Sequence, residues 1–455
     1  MTDAVDAGLR RIRDELGVPD GFPRAVVEAA ERAATRRPAD RHVDRTDIPF
    51  VTLDPATSTD LDQALHVEAS GRDMLLHYAI ADVGFFVSPG DALDAEAWRR
   101  GVTVYLPDGR APLYPPQVSE AAASLLPDGP RPAVLYTVRI DPDGEARLDG
   151  VVRAVVSSRA KLAYDTVRPE QLPEGFAEVS RRIAAAEDRR GAARVEFPEQ
   201  ELEQEQGTWT LRFRPRLQSE IHNAALSLAT NLAVAELLHG AGTGLFRVMP
   251  EPDDHDVRRL RHAARALGLE WPDATSLAEL QRSLDPEDPK AAAFLIAVRR
   301  ASGGASYEPY RPDVRPRHSA MAATYAHATA PLRRLADRYV NEAALAVAAG
   351  EAVPNEISTA FEALPAAMEL GESLAGRVEA AVIELAEAAM LAGRIGEEFD
   401  AVVVDEDQRG SVVQLADPAV VARVVARRVD PGDDVRVRLV EADPTTRRVR
   451  FERTG

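Results

Sequence analysis

The chain has 455 residues, of which 45% are hydrophobic and 28% charged, with a net charge of −19 and no cysteine. That length suggests roughly two to four domains, or one large domain with appendages. The acidity excludes a general polyanion-binding coat, and the missing cysteine excludes disulfides, disulfide-linked partners, thiol nucleophiles and cysteine-based metal centres. Any nucleic-acid site must therefore be a local positive groove or one whose charge is carried by metal ions.

No uncharged apolar stretch reaches membrane-spanning length, and the opening MTDAVDAGLRRIRDEL has acids and arginines where a signal peptide needs an apolar run. A soluble, cytoplasmic protein without membrane contact is expected. Residues 1–45 read as helical. Apolar positions recur at helical spacing from Val5 to Leu16, Pro23 opens a second helix where its missing N–H costs little, and Arg37-Pro38 ends it. This segment is a structural extension or a small helix-turn-helix-like unit.

From Asp47 the period changes. IPFVTLD and QALHVE read as strands separated by the turn PATSTDL, and DMLLHYAIADVGFFV as a β-rich run. DALDAEAWRRG reads as a helix closed by glycine, and VTVYLP and PAVLYTVRI as strands. Helices are expected over 168–191, 217–239, 254–268, 287–300, 332–349 and 355–392. Mixed strands and helices followed by a helix-rich half give an α+β domain over 46–392. In 393–455, Val435, Val437 and Leu439 alternate with Arg436 and Arg438, and Val449 and Phe451 with Arg448 and Arg450. Five short strands there suggest a small all-β closed barrel with Phe399 and Phe451 facing inward.

The strongest chemical signal is DPATSTDLDQAL, residues 54–65. Asp60 and Asp62 are two apart and share a face in extended chain. Asp54 ends the preceding strand, and the turn can fold it back toward them. Three converging carboxylates repel one another unless cations, protonation or water intervene. Mg²⁺ prefers a few carboxylates plus water and phosphate oxygens, and two such ions suit a phosphoryl displacement. Spacing alone fits a polar, Asp-rich turn equally well.

Several motifs in order resemble the ribonuclease II (RNB) family of 3′-to-5′ exoribonucleases. They are LDPATSTDLDQAL, then IADVGFFV (80–87), LDAEAWRRGVTVYLP (93–107), SLLPDGPRPA (124–133), SRAKLAYDTV (158–167), RRGAARVEFPEQE (189–201) and YAHATAPLRRLADRYV (325–340). The family signature carries a fourth aspartate where this chain has Gln63, an acidic pair at Ala224-Ala225, and a histidine at Met249. Forty-five residues cannot hold the two N-terminal cold-shock barrels of typical members, so a short form is expected, ending in an oligonucleotide-binding (OB-fold) barrel.

The resemblance implies a metal-dependent exoribonuclease that hydrolyses single-stranded RNA to nucleoside 5′-monophosphates with two Mg²⁺ (or Mn²⁺) ions. Asp54, Asp60 and Asp62 would be metal ligands, with Asp62 the most critical, and Gln63 would hold a metal weakly or through water. Arg333 would sit on the scissile phosphate, and the adjacent Arg334 would also contact RNA. Tyr105 and Phe197 would flank the terminal bases, Tyr164 would help recognise ribose, and Glu379 is a loosely aligned acidic guide. Residues 299–338 carry eight arginines against three acids, +5, as a single-strand channel wall requires, and the barrel arginines Arg436, Arg438, Arg447, Arg448 and Arg450 would grip RNA. His77, His222, His318 and His327 look isolated, either structural or exposed. Two alternatives stay open: a weakened or inactive RNA-binding protein of the same fold, which Gln63 suggests, and a phosphoesterase acting on DNA. The oligomeric state is not legible.

Overall fold

The computed structural model describes residues 2–38, 42–193, 199–205, 208–214, 216–285, 288–301, 303–407, 410–415, 420–425, 429 and 433–454. In chain order, α1 (Thr2–Leu16) and α2 (Arg24–Ala34) precede β1 (Val43–Asp44), β2 (Phe50–Asp54), β3 (Gln63–Ser70) and β4 (Asp73–Ala81). Then come α3 (Val83–Phe86), α4 (Ala92–Arg100), the hairpin β5 (Val104–Leu106) and β6 (Gly109–Ala111), and β7 (Arg131–Ile140), β8 (Ala146–Val156) and β9 (Ser158–Ala163). After α5 (Phe176–Arg190) a ribbon of β10 (Glu199–Glu205) and β11 (Thr208–Arg214) leads to α6 (Gln218–Gly240) and β12 (Leu245–Val248). Helices α7 (Asp254–Ala266), α8 (Leu277–Ser283) and α9 (Pro289–Ala301), strand β13 (Ser306–Pro309), and helices α10 (Leu335–Ala348) and α11 (Asn355–Leu391) complete the second half.

Seven strands form one sheet in the order β1-β8-β7-β4-β3-β2-β9, antiparallel except for the β1–β8 and β2–β9 pairs. Its strands are dominated by buried small aliphatics and tyrosines, with Tyr78 and Tyr136 fully buried. Helices α6 and α10 lie against β8. Tyr136 donates to Asn341 Oδ1 at 2.6 Å, which joins sheet and α10 by a buried polar contact. The arrangement is the expected α+β architecture.

The last five strands, β14 (Glu398–Asp407), β15 (Gly410–Leu415), β16 (Val421–Val425), β17 (Asp434–Asp443) and β18 (Arg448–Arg453), close into a barrel. Phe399 and Phe451 meet edge to face inside it, 5.7 Å between ring centres, as their alternation predicts. Several of the arginines expected to grip RNA stand in ion pairs. Arg438 pairs with Glu398 at 2.6 Å, Arg450 with Glu441, and Arg447 reaches Glu15 of α1 at 2.7 Å.

The two N-terminal helices pack in different places. α1 lies along α11, with Val5, Leu9 and Ile12 in a common cluster with Val104, Trp209 and Leu385, while α2 packs on α4. The run DMLLHYAIADVGFFV is a strand only to Ala81. Asp82 then caps the short α3, its carboxylate accepting from Phe85 N at 3.1 Å. Helix α4 ends at Gly101, φ +70, as the glycine predicts. There the chain runs so close beneath α11 that a Cβ on Gly101 would stand 2.7 Å from the Ala367 carbonyl, and one on Gly371 2.7 Å from that of Arg100. On another side, residues 101–103 lie beside 333–335, where Val102 bridges Arg334.

Candidate active site

Asp54 ends β2 opposite Ala163 of β9, so Tyr164 follows directly beside it and its N–H donates to the Asp54 carbonyl at 3.2 Å. The loop from 55 to 62 is pinned from below. Ser124 Oγ accepts from Leu61 N at 2.9 Å and donates to the Thr59 carbonyl at 2.7 Å, and Leu61 is wholly buried. The pinning turns Asp62 inward, 6% exposed, where its Oδ1 accepts the Leu332 N–H at 2.7 Å and its Oδ2 lies 3.5 Å from Arg333 Nε. Asp60 takes Arg110 Nη1 at 2.5 Å. The three expected aspartates thus share one site with Arg333.

Burial dominates their electrostatics. It pushes the Asp54 carboxyl up to about 7, helped by the Asp60 carboxylate and opposed by Arg333 and Lys161. It pushes Asp62 up to about 8, against Arg333 and the Leu332 N–H, with Asp60 and Asp337 adding to the rise. Asp54 Oδ2 is buried without a hydrogen-bond partner. Among the described residues no three carboxylate or histidine side chains stand close enough to cage a metal by themselves. An orphaned carboxylate oxygen in an all-oxygen donor set fits a hard divalent cation that completes its coordination with water and phosphate oxygens.

A pH dependence follows. Both carboxyls are neutral in the metal-free protein below about pH 7, and a cation must displace their protons. The affinity for Mg²⁺ is expected to climb by up to about two decades per pH unit below about pH 7, then by about one, and to level off above about pH 8. Because these folded-state values lie above the ordinary 3.8, the metal-free fold loses stability as pH rises from about 4 through about 8, and Mg²⁺ restores it. Calorimetric titration in two buffers of different ionisation enthalpy reads the proton release directly; an affinity flat across that range would contradict the assignment.

Gln63 departs from its expected role. Its Oε1 accepts from Tyr78 Oη at 2.5 Å and Ser227 Oγ at 3.0 Å. Tyr78 Oη and Ser227 Oγ also stand 2.8 Å apart, so the Gln63 carbonyl is tied into a cluster of protein hydroxyls.

The backbone at 101–103 pairs with 333–335: Thr103 N donates to the Arg333 carbonyl and Leu335 N to that of Gly101, both at 3.0 Å. This short bridge sets β5 against the Arg333 loop. Tyr105, 51% exposed, sits at the mouth of the site, its phenol within the fields of Asp60, Arg333 and Asp62. Tyr164 Oη accepts from Asn223 Nδ2 at 2.8 Å, and the same amide donates to the Leu53 carbonyl at 3.2 Å. Phe197 lies outside the described residues. Glu379 is exposed on α11, and among the described residues no contact joins it to the cluster.

Arg334, expected to touch RNA, is turned inward. It grips the fully buried Asp337 through Nε at 3.0 Å and Nη2 at 2.7 Å, and Asp337 also accepts the Ala330 N–H at 2.8 Å. Only Arg333 of the adjacent pair, 48% exposed, remains toward the opening. The basic wall is likewise largely neutralised: Arg311 pairs with Glu362, Arg315 with Glu236, Arg317 with Glu251 and Arg338 with Asp94. Nor are His318 and His327 isolated. Both rings pack edge-on against Tyr325, and His327 Nδ1 shares a 2.7 Å hydrogen bond with Tyr307 Oη. Burial holds both histidines below their ordinary value.

Sequence reading missed Arg110, Asn223 and Ser227. A signal existed for Arg110: the Pro-Asp-Gly turn after Tyr105 marks a hairpin, and that hairpin sets Arg110 directly across from Tyr105. Asn223 and Ser227 lie on an apolar helix with no local mark.

A family model described as the RNB domain matches residues 42–349, and one described as the RNase II-type exonuclease C-terminal S1 domain matches 397–454. The chain belongs to the RNB family, of ribonuclease II type. Among curated relatives, it is 24% identical to the Ribonuclease R of Aquifex aeolicus, over 99% of this chain and 70% of that protein. It is 28% identical to that of Mycoplasma pneumoniae, over 66% of this chain and 44% of that protein, and so spans under half of the latter. It superposes on Mycoplasma genitalium RNase R in complex with ribose methylated single-stranded RNA with a TM-score of 0.89 at 19% identity, covering 99% of this chain and 78% of that one. It also superposes on yeast Ssd1, a pseudonuclease, with a TM-score of 0.68 at 18% identity, covering 92% and 53%. At these identities the likeness shows a common fold.

Proposed function

We propose that the chain is a metal-dependent 3′-to-5′ exoribonuclease that degrades single-stranded RNA to nucleoside 5′-monophosphates. One observation carries this reading: half-buried Asp54, buried Asp62, half-exposed Arg333 and the outward Tyr105 meet where residues 101–103 pair with 333–335. Two Mg²⁺ or Mn²⁺ ions at Asp54, Asp60 and Asp62 would supply an activated water and neutralise charge on the attacking and leaving oxygens. The remaining work falls to the chain. Arg333 presents a planar fork to the non-bridging oxygens of the terminal phosphodiester. Asp62 aims that fork, and its own orientation is set by the Leu332 N–H. Tyr105 offers a stacking face to the terminal base, and Tyr164, steadied by Asn223, lies where a ribose beside Asp54 would pass. Family membership supports both the substrate class and the reaction.

Stacking is sequence-tolerant and contributes ~1–3 kcal/mol per base. Tyr105→Ala is therefore expected to raise KM for short oligomers roughly 5- to 150-fold, with Tyr105→Phe close to wild type. Unchanged steady-state parameters for Tyr105→Ala would remove Tyr105 from the substrate path.

The second reading, an RNA-binding protein with weakened or no hydrolysis, is favoured by one observation: Gln63 replaces a carboxylate and its carbonyl is already engaged. A time course on 5′-labelled RNA and on the matched deoxyribose oligomer, with Mg²⁺ and with a chelator, separates the readings. Stepwise shortening of RNA from the 3′ end, abolished by chelator, supports the proposal. Intact RNA supports the second reading, and DNA cut as fast as RNA supports a general phosphoesterase, because ribose contacts should discriminate.

A further inference from the structure

Beside the three aspartates, one cation is held in a network of side chains. Arg110 of β6 is mostly buried, its side chain 20% exposed. Nη1 lies 2.5 Å from Asp60 Oδ1, while Nη2 contacts Glu120 Oε1 at 2.9 Å and Thr59 Oγ1 at 2.7 Å. Thr59 Oγ1 in turn donates to Glu120 Oε2 at 2.9 Å, so guanidinium, hydroxyl and two carboxylates close a ring over the loop that carries Asp60. Across the hairpin Arg110 is the direct partner of Tyr105. One side chain thereby joins the outward aromatic to a metal-ligand aspartate. With Arg333 near Asp62 and Lys161 acting on Asp54, each of the three aspartates has a cation of the chain close to it.

We propose that Arg110 is a resident counter-ion of the acidic cluster, which holds metal affinity down and keeps Asp60 and the Tyr105 hairpin in one geometry. The inference rests on the metal site proposed above, and on the exoribonuclease reading for its kinetic arm only. A site whose negative charge is already matched attracts a divalent cation weakly, since the cation must compete with a charge a few ångströms away. A substrate phosphate adds the missing negative charge, so metal and phosphate help each other bind, and that coupling is reciprocal. Removing Arg110 leaves Asp60 free for the cation but lets its loop and the hairpin drift. The signature is a metal site that binds better and works worse, which loss of a merely structural residue would not produce.

The test is calorimetric titration of Mg²⁺ alone into metal-stripped full-length wild type, Arg110→Ala and Arg110→Lys, with turnover on single-stranded RNA at saturating Mg²⁺. Arg110→Ala is expected to bind Mg²⁺ about tenfold tighter, ~1.4 kcal/mol, while turning over at least about tenfold slower. Arg110→Lys keeps the charge without the fork, so its Mg²⁺ affinity stays near wild type and its turnover falls. Should Arg110→Ala fail to fold, Arg110→Gln, of similar reach and no charge, is read the same way. Unchanged or weaker Mg²⁺ binding in the folded neutral variant overturns the proposal, as does equal tightening in Arg110→Lys. Wild type that binds Mg²⁺ but leaves RNA intact would overturn the exoribonuclease reading and leave the counter-ion standing.

Discussion

Asp62→Asn is expected to lower turnover on single-stranded RNA by at least ~10³-fold while RNA binding persists. The amide keeps the size of the carboxyl and can still accept the Leu332 N–H now bonded to Oδ1 at 2.7 Å. The lost element is the negative charge, which a cation needs as ligand and which aims Arg333 from 3.5 Å. The same change removes a buried charge. Because Asp62 is pushed up to about 8 by its surroundings, ionising it near neutral pH works against folding. In chelator at about pH 8 the variant should therefore melt no lower than wild type. Rapid-quench turnover, filter binding and melting, run together, check the three expectations. Wild-type turnover in a folded Asp62→Asn protein would end the mechanistic account.

The second large effect is on stability. Asp337 is fully buried and holds Arg334 through two hydrogen bonds and the Ala330 N–H through a third. Asp337→Leu leaves that guanidinium buried without its partner, which costs about 3–5 kcal/mol. The double change Asp337→Leu with Arg334→Met should recover most of the loss, since the pair is then replaced by apolar groups of similar size. Recovery of activity should be poorer than recovery of stability. The turn from Ala330 to Arg334 presents both the Leu332 N–H and Arg333 to Asp62, and Asp337 caps its start. Denaturant midpoints of the three proteins measure the first effect. A single variant within about 1 kcal/mol of wild type would mean that the pair contributes nothing to holding the turn.

What was legible in the sequence is local. The spacing of Asp54, Asp60 and Asp62, a strand end, a short turn and a period of two, allowed their convergence but fitted a polar turn equally well, and the family resemblance decided between the two. Gly101 marked the end of α4, and strict alternation in the last sixty residues marked the barrel. Strands β8 and β9 were not called out by pattern: Arg147, Arg153 and Arg159 interrupt their apolar runs, and Gly150 falls inside β8. The contacts that decide the charge of the site are long-range. Nothing near Arg315, Arg311 or Arg338 reveals that Glu236, Glu362 and Asp94 will neutralise them. Nor does sequence tell which of two adjacent arginines turns inward. The backbone bridge at 102 and 334 settles it, sending Arg334 inward and leaving Arg333 outward. Gln63 illustrates the same point at the site itself, since its replacement was visible but its capture by Tyr78 and Ser227 was not.

In the proposed mechanism these aspartates direct a cation onto the last phosphodiester of an RNA strand. An oligomer carrying a single-diastereomer phosphorothioate only at its 3′-terminal linkage tests that contact. Sulfur binds Mg²⁺ poorly and Mn²⁺ better. One diastereomer is expected to block release of the first nucleotide in Mg²⁺ and to be relieved by Mn²⁺ in wild type, with no relief in Asp62→Asn. Release at the unmodified rate in Mg²⁺ for both diastereomers, or release in the presence of chelator, would contradict it.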